Sequence, residues 1–166
     1  MLLGHGELVD SSNRPHVFYR EKFTEPEYED WLHDEFEDVE FSIYEHEGEL
    51  ELQIGPFKRL DNWRERWYHR KERTIPAPDQ FSLTPEMASV WYWRRGSWDS
   101  KYERVRLDMN GLSHSKERGV EILKNQDFAA YKTFNKIEMR ADDAKTFLDW
   151  LSDEISGLNT RATQRK

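Results

Sequence analysis

The sequence predicts an α+β fold in which amphipathic helices pack on one face of an antiparallel sheet, within a single domain. Residues 41–54 alternate apolar and polar side chains on both sides of a turn at Gly48, which is typical of a β-hairpin. Residues 104–109 alternate in the same way, and residues 144–155 repeat apolar side chains at helical spacing. The chain of 166 residues has the length of one domain, which we expect over residues 1–158, followed by a disordered polar tail at 159–166.

The first third of the chain contains three predicted elements. A short strand at 16–20 precedes a helix over 25–38, for which Thr24 is a suitable cap and Pro26 is tolerated in the first turn. One face of this helix is apolar, and the other is almost entirely acidic. The hairpin at 40–54 follows, and like charges line up across its solvent face, which costs stability unless a cation relieves the repulsion.

The remaining elements are assigned by the same periodicities. Residues 60–73 are predicted as a basic helix, and residues 119–123 and 134–140 as strands. Residues 90–95 are apolar on both sides, so a buried strand and a buried helix fit that segment equally well.

The composition points to a folded domain with an aromatic core and a charged surface. Aromatic residues make up 14% of the chain and charged residues 35%, against a hydrophobic fraction of 36%. The absence of cysteine excludes disulfides and thiolate zinc sites. We find no signal peptide and no stretch long enough to span a membrane, so a cytoplasmic protein is expected.

Charge is unevenly distributed along the chain. Residues 1–56 carry sixteen Asp or Glu against three Lys or Arg, a net of −13. Residues 57–106 carry twelve Lys or Arg against seven acids, a net of +5, and residues 107–166 are balanced at ten of each. Such asymmetry bears on partners and association rather than on the fold.

The acidic segment gives the leading hypothesis, a non-enzymatic protein-interaction module. Its carboxylates would imitate the phosphates of a nucleic acid and bind a basic groove of a protein partner, such as a nucleic-acid-processing enzyme that is thereby inhibited. The alternative is a solvated face that only keeps the chain in solution. The carboxylates expected to form the acidic face are Glu29, Asp30, Asp34, Glu37, Asp38, Glu40, Glu49 and Glu51.

Residues 57–106 support a second hypothesis, in which the chain binds nucleic acid. The segment holds five of the seven tryptophans, and mixtures of cations and aromatic rings bind single strands. Alternatively, the tryptophans build the core and the arginines pair with the N-terminal acids. The cations expected at a nucleic-acid site are Arg64, Arg66, Arg70, Lys71, Arg94 and Arg95.

Catalytic motifs are scarce. The sequence has no GxSxG, HExxH or GxxxxGK[ST], and its histidines lack helical metal-site spacing, so no metal and no cofactor is expected. A metal-dependent hydrolase is the third hypothesis, because Asp99-x-Lys101 and Glu138-x-Arg140 are acid-x-base runs of the kind found in nucleases. These patterns favour a protein that is not an enzyme, with a protein partner ranked first and nucleic acid second. They point to no membrane association and leave the oligomeric state open.

Overall fold

Helices and antiparallel strands alternate along the chain, an α+β architecture that confirms the predicted fold class. The computed structural model describes residues 3–10, 15–24, 26–35, 39–112 and 115–152. The chain divides into two compact units, an N-terminal unit of residues 4–66 and a C-terminal unit that begins at Trp67. A single domain over 1–158 stays a prediction, and the expected tail at 159–166 lies outside the described residues. Within those residues, no helix is both long and apolar enough to cross a membrane.

The N-terminal unit is built on a four-stranded antiparallel sheet. Its elements are β1 (Glu7–Val9), β2 (Phe18–Phe23), α1 (Pro26–Glu35), β3 (Phe41–His46), β4 (Glu49–Ile54) and α2 (Lys58–Trp67), of which the last residue belongs to the C-terminal unit. The strand order is β1-β2-β4-β3, and every neighbouring pair is antiparallel. Strands β3 and β4 form the predicted hairpin, and Gly48 in its turn has a φ of +83°, which glycine adopts without strain.

The core of the N-terminal unit lies between α1 and this sheet. Tyr28 and Leu52 are fully buried, and the ring of Tyr28 meets that of Phe23 edge to face at 5.1 Å. The buried carboxyl group of Glu21 accepts hydrogen bonds from the hydroxyl of Tyr28 at 2.9 Å and from that of Tyr19 at 2.5 Å. This buried polar group is therefore satisfied by the aromatic residues that surround it.

The C-terminal unit contains a second four-stranded sheet and a short hairpin. Its elements are β5 (Tyr68–His69), β6 (Glu72–Arg73), α3 (Pro85–Arg95), β7 (Gly96–Asp99), β8 (Arg104–Asp108), α4 (Lys116–Lys124), β9 (Ala130–Lys132), β10 (Lys136–Arg140) and α5 (Ala141–Ser152). The larger sheet has the strand order β7-β8-β10-β9 and is antiparallel throughout. Strands β5 and β6 pair with each other.

Helix α3 includes the segment 90–95, for which the sequence left strand and helix open. The side chain of Thr84 caps the helix by accepting a hydrogen bond from a backbone N–H three residues further on. The helix ends at Gly96, where a Cβ atom would lie 2.3 Å from the carbonyl oxygen of Tyr92. Only glycine therefore fits at the step from α3 to β7.

Two predicted elements differ from the structure. Residues 119–123 form part of α4 rather than a strand, because Gly119, Ile122 and Leu123 are buried at the three- and four-residue spacing of a helix face. The basic helix expected over 60–73 ends at Trp67 and is followed by the hairpin of β5 and β6. Both residues of the hairpin turn, Arg70 and Lys71, have positive φ, at 50° and 72°.

The core of the C-terminal unit covers one face of its larger sheet. Val105, Leu107, Ile137 and Met139 have no exposed surface, and fully buried Trp91 of α3 belongs to the same core. Residues between these positions on the strands point the other way, since side chains alternate across a sheet. We call that second side of a sheet its outer face.

Candidate functional site

The outer face of the C-terminal sheet carries a row of cations. Arg104 and Arg106 alternate with buried residues on β8, and Lys136 and Arg140 stand on the neighbouring strand β10. The sheet register places Arg140 directly opposite Arg104, and Lys136 opposite Asp108. We call the four cations Arg104, Arg106, Lys136 and Arg140 the basic face.

Two carboxylates hold the central arginines of the basic face in place. Asp99 on β7 accepts hydrogen bonds from Nε and Nη2 of Arg104 at 3.2 and 3.1 Å, and pairs with Nη2 of Arg106 at 3.0 Å. Glu138 on β10 accepts from Nη1 of Arg104 at 3.1 Å and from Nε of Arg106 at 3.3 Å. Burial lowers the pKa of Arg104, but the hydrogen bond to Asp99 and the charges of both carboxylates outweigh it and raise the pKa overall.

Tyr131 extends this network onto the edge strand β9. Its hydroxyl donates to Oε2 of Glu138 at 3.2 Å, and the guanidinium of Arg140 lies 4.7 Å from the centre of its ring. Burial, followed by the negative charge of Glu138, raises the pKa of Tyr131, so the phenol keeps its proton at neutral pH. The buried carboxylate of Glu138 is thus surrounded by donors, as a buried charge requires.

An exposed aromatic ring marks each end of the basic face. Tyr102, 57% exposed, lies in the turn between β7 and β8, and Phe134, 93% exposed, lies in the turn between β9 and β10. The second turn is held by the carbonyl of Lys136, which accepts the N–H of Thr133 at 2.8 Å, and by the ammonium of Lys116, which donates to the carbonyl of Phe134. A well-anchored turn therefore presents an uncovered ring to solvent.

The outer face of the C-terminal sheet has four cations against the three carboxylates Asp99, Asp108 and Glu138, a net charge of +1, and the outer face of the N-terminal sheet has the opposite balance. It carries two cations and three carboxylates, Arg20, Lys22, Glu7, Glu49 and Glu51. Arg20 pairs with Glu7 at 2.5 Å and Lys22 pairs with Glu49 at 3.0 Å, so a cation from β2 relieves the repulsion along the hairpin. Residues 4–66 carry a net charge of −11 and residues 67–166 a net of +3, so cations outnumber acids only in the second part.

The structure describes the predicted acidic face in part. The carboxylates that are half-buried or exposed on α1 and ahead of β3 are Glu29, Asp30 and Glu40. Glu49 binds Lys22, and Glu51 accepts a hydrogen bond from Gln53 at 2.7 Å. The side chain of Asp34, and all of Glu37 and Asp38, lie outside the described part of the chain. Contact with a partner through these acids stays a prediction.

The cations predicted to bind nucleic acid are divided between the two units. Arg64 binds Asp10 at 2.7 Å and Arg66 is exposed on α2, both in the N-terminal unit. The four in the C-terminal unit are Arg70 and Lys71, exposed in the β5–β6 turn, and Arg94 and Arg95, half-buried and buried on α3. Their role in binding stays a prediction. None of these six belongs to the basic face, whose β8 and β10 members become neighbours only through strand pairing.

Solved structures of homing endonucleases share this fold. The homing endonuclease I-WcaI bound to its DNA recognition sequence is 18% identical with a TM-score of 0.74, over 97% of this chain and 81% of that one. Mesophilic variants of I-DmoI are 17% identical with a TM-score of 0.54, over 91% and 93%. I-DmoI in complex with DNA and Mn is 16% identical with a TM-score of 0.52, over 91% and 94%. Such low identity shows the fold alone, and a comparison with curated proteins finds no match.

A family model decides between the functional hypotheses. Residues 1–147 match the model of the LAGLIDADG DNA endonuclease family. A non-enzymatic inhibitor that imitates nucleic acid is therefore wrong, and so is the ranking of a protein partner above nucleic acid. The acid-rich segment misled because it folds as a sheet and helix of this fold, where Glu49 and Glu51 are engaged by neighbouring side chains. Because the match spans most of its length, the chain belongs to the LAGLIDADG DNA endonuclease family.

Proposed function

We propose that the chain binds DNA, the substrate that its family's name gives, and that it binds the duplex through the basic face of the C-terminal sheet. The observation that carries this proposal is the fixed pair of guanidinium groups on β8, held between Asp99 and Glu138. A planar guanidinium in a fixed orientation donates two parallel hydrogen bonds to the edge of guanine or to a phosphate. Holding both groups before DNA arrives lowers the entropy lost on binding.

Arg106 is the residue best placed to contact a base or a phosphate. Its Nε and Nη2 atoms are held by Glu138 and Asp99, while Nη1 makes no hydrogen bond to any described residue. Its side chain is 27% exposed, against 17% for Arg104. We therefore assign the direct contact to Arg106 and the supporting position to Arg104.

The dimensions of the sheet suit the major groove. Strands β8 and β10 are each five residues long, which corresponds to about 17 Å at 3.4 Å per residue. Successive base pairs of DNA rise about 3.4 Å along the helix axis, so the basic face would span about five base pairs. The major groove is about 12 Å wide and admits a two-stranded β-ribbon. The turns that contain Tyr102 and Phe134 lie at the two ends of the β8–β10 pair.

Because the chain has a net charge of −8, DNA binding depends on where its cations lie together. The field of the whole chain repels DNA, so attraction must come from the face whose cations lie together. A cytoplasmic location belongs to this proposal and stays a prediction.

The proposal is tested by the dissociation constant of a fluorescent duplex with a randomised sequence at low salt. We expect Arg106→Ala to weaken binding by about tenfold, the effect of losing one arginine contact. Lys124→Ala removes the same charge from an exposed position on α4, outside the basic face, and should change the dissociation constant by less than about twofold. No binding by the unmodified chain, or equal loss in both variants, would refute the proposal.

A further inference from the structure

The family of this chain raises the question of a divalent metal. One of its structural relatives is solved with both DNA and Mn. Oxygen ligands, above all carboxylates, are what Mg²⁺ and Mn²⁺ prefer in proteins. The family name spells, in one-letter code, a nine-residue motif whose sixth and eighth residues are aspartate and whose last is glycine.

Gly6 directly precedes β1 and Gly96 begins β7, the first strand of each four-stranded sheet, and we take these two glycines as the last position of that motif. A Cβ atom at Gly96 would lie 2.3 Å from the carbonyl oxygen of Tyr92, and one at Gly6 would lie 1.6 Å from the hydroxyl oxygen of Tyr19. Both positions therefore require glycine. Counting back from Gly96, the two aspartate positions are occupied by Trp93 and Arg95.

The residues before Gly6 also lack aspartate at these two positions. Counting back from Gly6, the aspartate positions are occupied by Leu3 and His5. An imidazole suits zinc, copper or nickel rather than Mg²⁺. Neither the segment that ends at Gly6 nor the one that ends at Gly96 therefore has a carboxylate at these positions.

The side chain of Arg95 makes a structural hydrogen bond. It is 8% exposed, and its Nη1 atom donates a hydrogen bond to the backbone carbonyl of Asn110, which follows β8. The guanidinium thus ties the end of α3 to the loop beyond the sheet. A permanent positive charge at this position opposes a bound cation.

The carboxylates nearest to the two glycines already form ion pairs, and Glu7, directly after Gly6, pairs with Arg20. Asp99, three residues beyond Gly96, and Glu138 both bind the guanidinium groups of Arg104 and Arg106. Throughout the described ranges, no group of three His, Asp or Glu side chains is placed to hold a metal ion. The residues present do not fit a divalent metal.

We infer that the end of α3 supplies no metal ligand and that this chain binds DNA without a divalent cation. The inference rests on the proposed function for its DNA-binding part. Any cleavage of DNA by the chain must then draw its carboxylates from outside this helix end. The unit that carries the basic face would serve recognition, while Arg95 keeps the helix end in place.

Two measurements on the full chain test the inference, and I-DmoI with its DNA, the complex that is solved with Mn, is measured in parallel as the control. The first is the melting temperature of the DNA-free chain in EDTA, Mg²⁺ and Mn²⁺, because an ion bound only by the folded state raises it by mass action. We expect a change of less than about 1 °C in either metal, and a saturable rise of several degrees would overturn the inference.

The second measurement is the dissociation constant of the duplex in EDTA and in Mg²⁺ at equal ionic strength. We expect the two values to agree within about twofold, since counterion release by the cations of the basic face does not need a bound metal. A tenfold tighter complex in Mg²⁺ would overturn the inference. Absence of binding in both buffers would refute the proposed function instead, and the melting temperatures would still decide whether a metal binds.

Discussion

Nη1 of Arg104 lies 3.1 Å from Oε2 of Glu138, although these residues are not directly opposite each other on β8 and β10. The register places Glu138 opposite Arg106, so the pair with Arg104 is diagonal. One carboxylate therefore serves two guanidinium groups and fixes the spacing between them. This relationship explains why a buried acid lies in the middle of a basic face.

Replacing Glu138 by glutamine should destabilise the C-terminal unit. The neutral amide keeps the shape but weakens hydrogen bonds to charged donors, so we expect the free energy of unfolding to fall by about 1.5–3 kcal/mol. Urea denaturation measures this change. Glu121→Gln on the exposed side of α4 is the control and should change stability by less than about 0.5 kcal/mol. Equal stability of both variants would show that Glu138 is not needed to hold the arginines.

Removing the ring of Phe134 should weaken DNA binding and leave folding unchanged. The side chain is 93% exposed and contributes almost nothing to the core, whereas burying the ring against thymine methyl groups in the major groove would contribute about 1.5–3 kcal/mol. Phe134→Ala should therefore raise the dissociation constant by about fivefold or more. The control is Met87→Ala, an exposed residue at the start of α3. An unchanged dissociation constant for Phe134→Ala would exclude the β9–β10 turn from the interface.

Alanine at position 96 should be poorly tolerated. Its Cβ atom would lie 2.3 Å from the carbonyl oxygen of Tyr92, and backbone atoms at this helix end have little room to move. We expect Gly96→Ala to lower the free energy of unfolding by about 3 kcal/mol. The neighbouring Ser97→Ala is exposed and should cost less than about 0.5 kcal/mol. If the two variants have the same melting temperature, the close approach at Gly96 is absent in solution.

The acid sensitivity of the N-terminal unit should depend on Asp61. Its carboxylate on α2 accepts the backbone N–H of Val17 at 3.0 Å and lies 2.7 Å from Nδ1 of His16. The Val17 N–H, and then His16, lower the pKa of Asp61 below its ordinary value of 3.8. Because the folded value is the lower one, this stabilisation is complete above the ordinary value and is lost as pH falls through the folded value.

Asp61→Asn should therefore remove part of the decline in stability below pH 3.8. Urea unfolding of the two proteins across the acid range is the measurement. The asparagine variant should be less stable at neutral pH, with the two curves converging as the pH falls. Curves that stay parallel would mean that the pKa of Asp61 is the same in the folded and unfolded states.

Local patterns predicted the fold class and several elements well. The hairpin of β3 and β4 and the strand β8 follow directly from alternation, which decides which side chains share a face. The segment 90–95 could not be assigned, because its apolar residues stand on both sides and show no periodicity. Residues 119–123 were predicted as a strand but are helical, because five residues are too few to distinguish a repeat of 2 residues from one of 3.6.

The candidate site was harder to predict than the elements that carry it. Alternation places Arg104 and Arg106 on the polar side of β8, but nothing local shows that β8 pairs with β10. That pairing brings Lys136 and Arg140 alongside and delivers Glu138 between the two arginines. The net charge of the N-terminal third was the strongest signal in the sequence, and it reflects a surface property rather than the family's partner.

The most direct test of the basic face compares two double variants of equal charge in duplex DNA binding. Arg106→Ala with Arg140→Ala removes two cations of the basic face, and Lys124→Ala with Lys145→Ala removes two from α4 and α5. The first pair should raise the dissociation constant by about a hundredfold, and the second by less than about threefold. Equal affinities of the two double variants would contradict a DNA-binding role for the outer face of the C-terminal sheet.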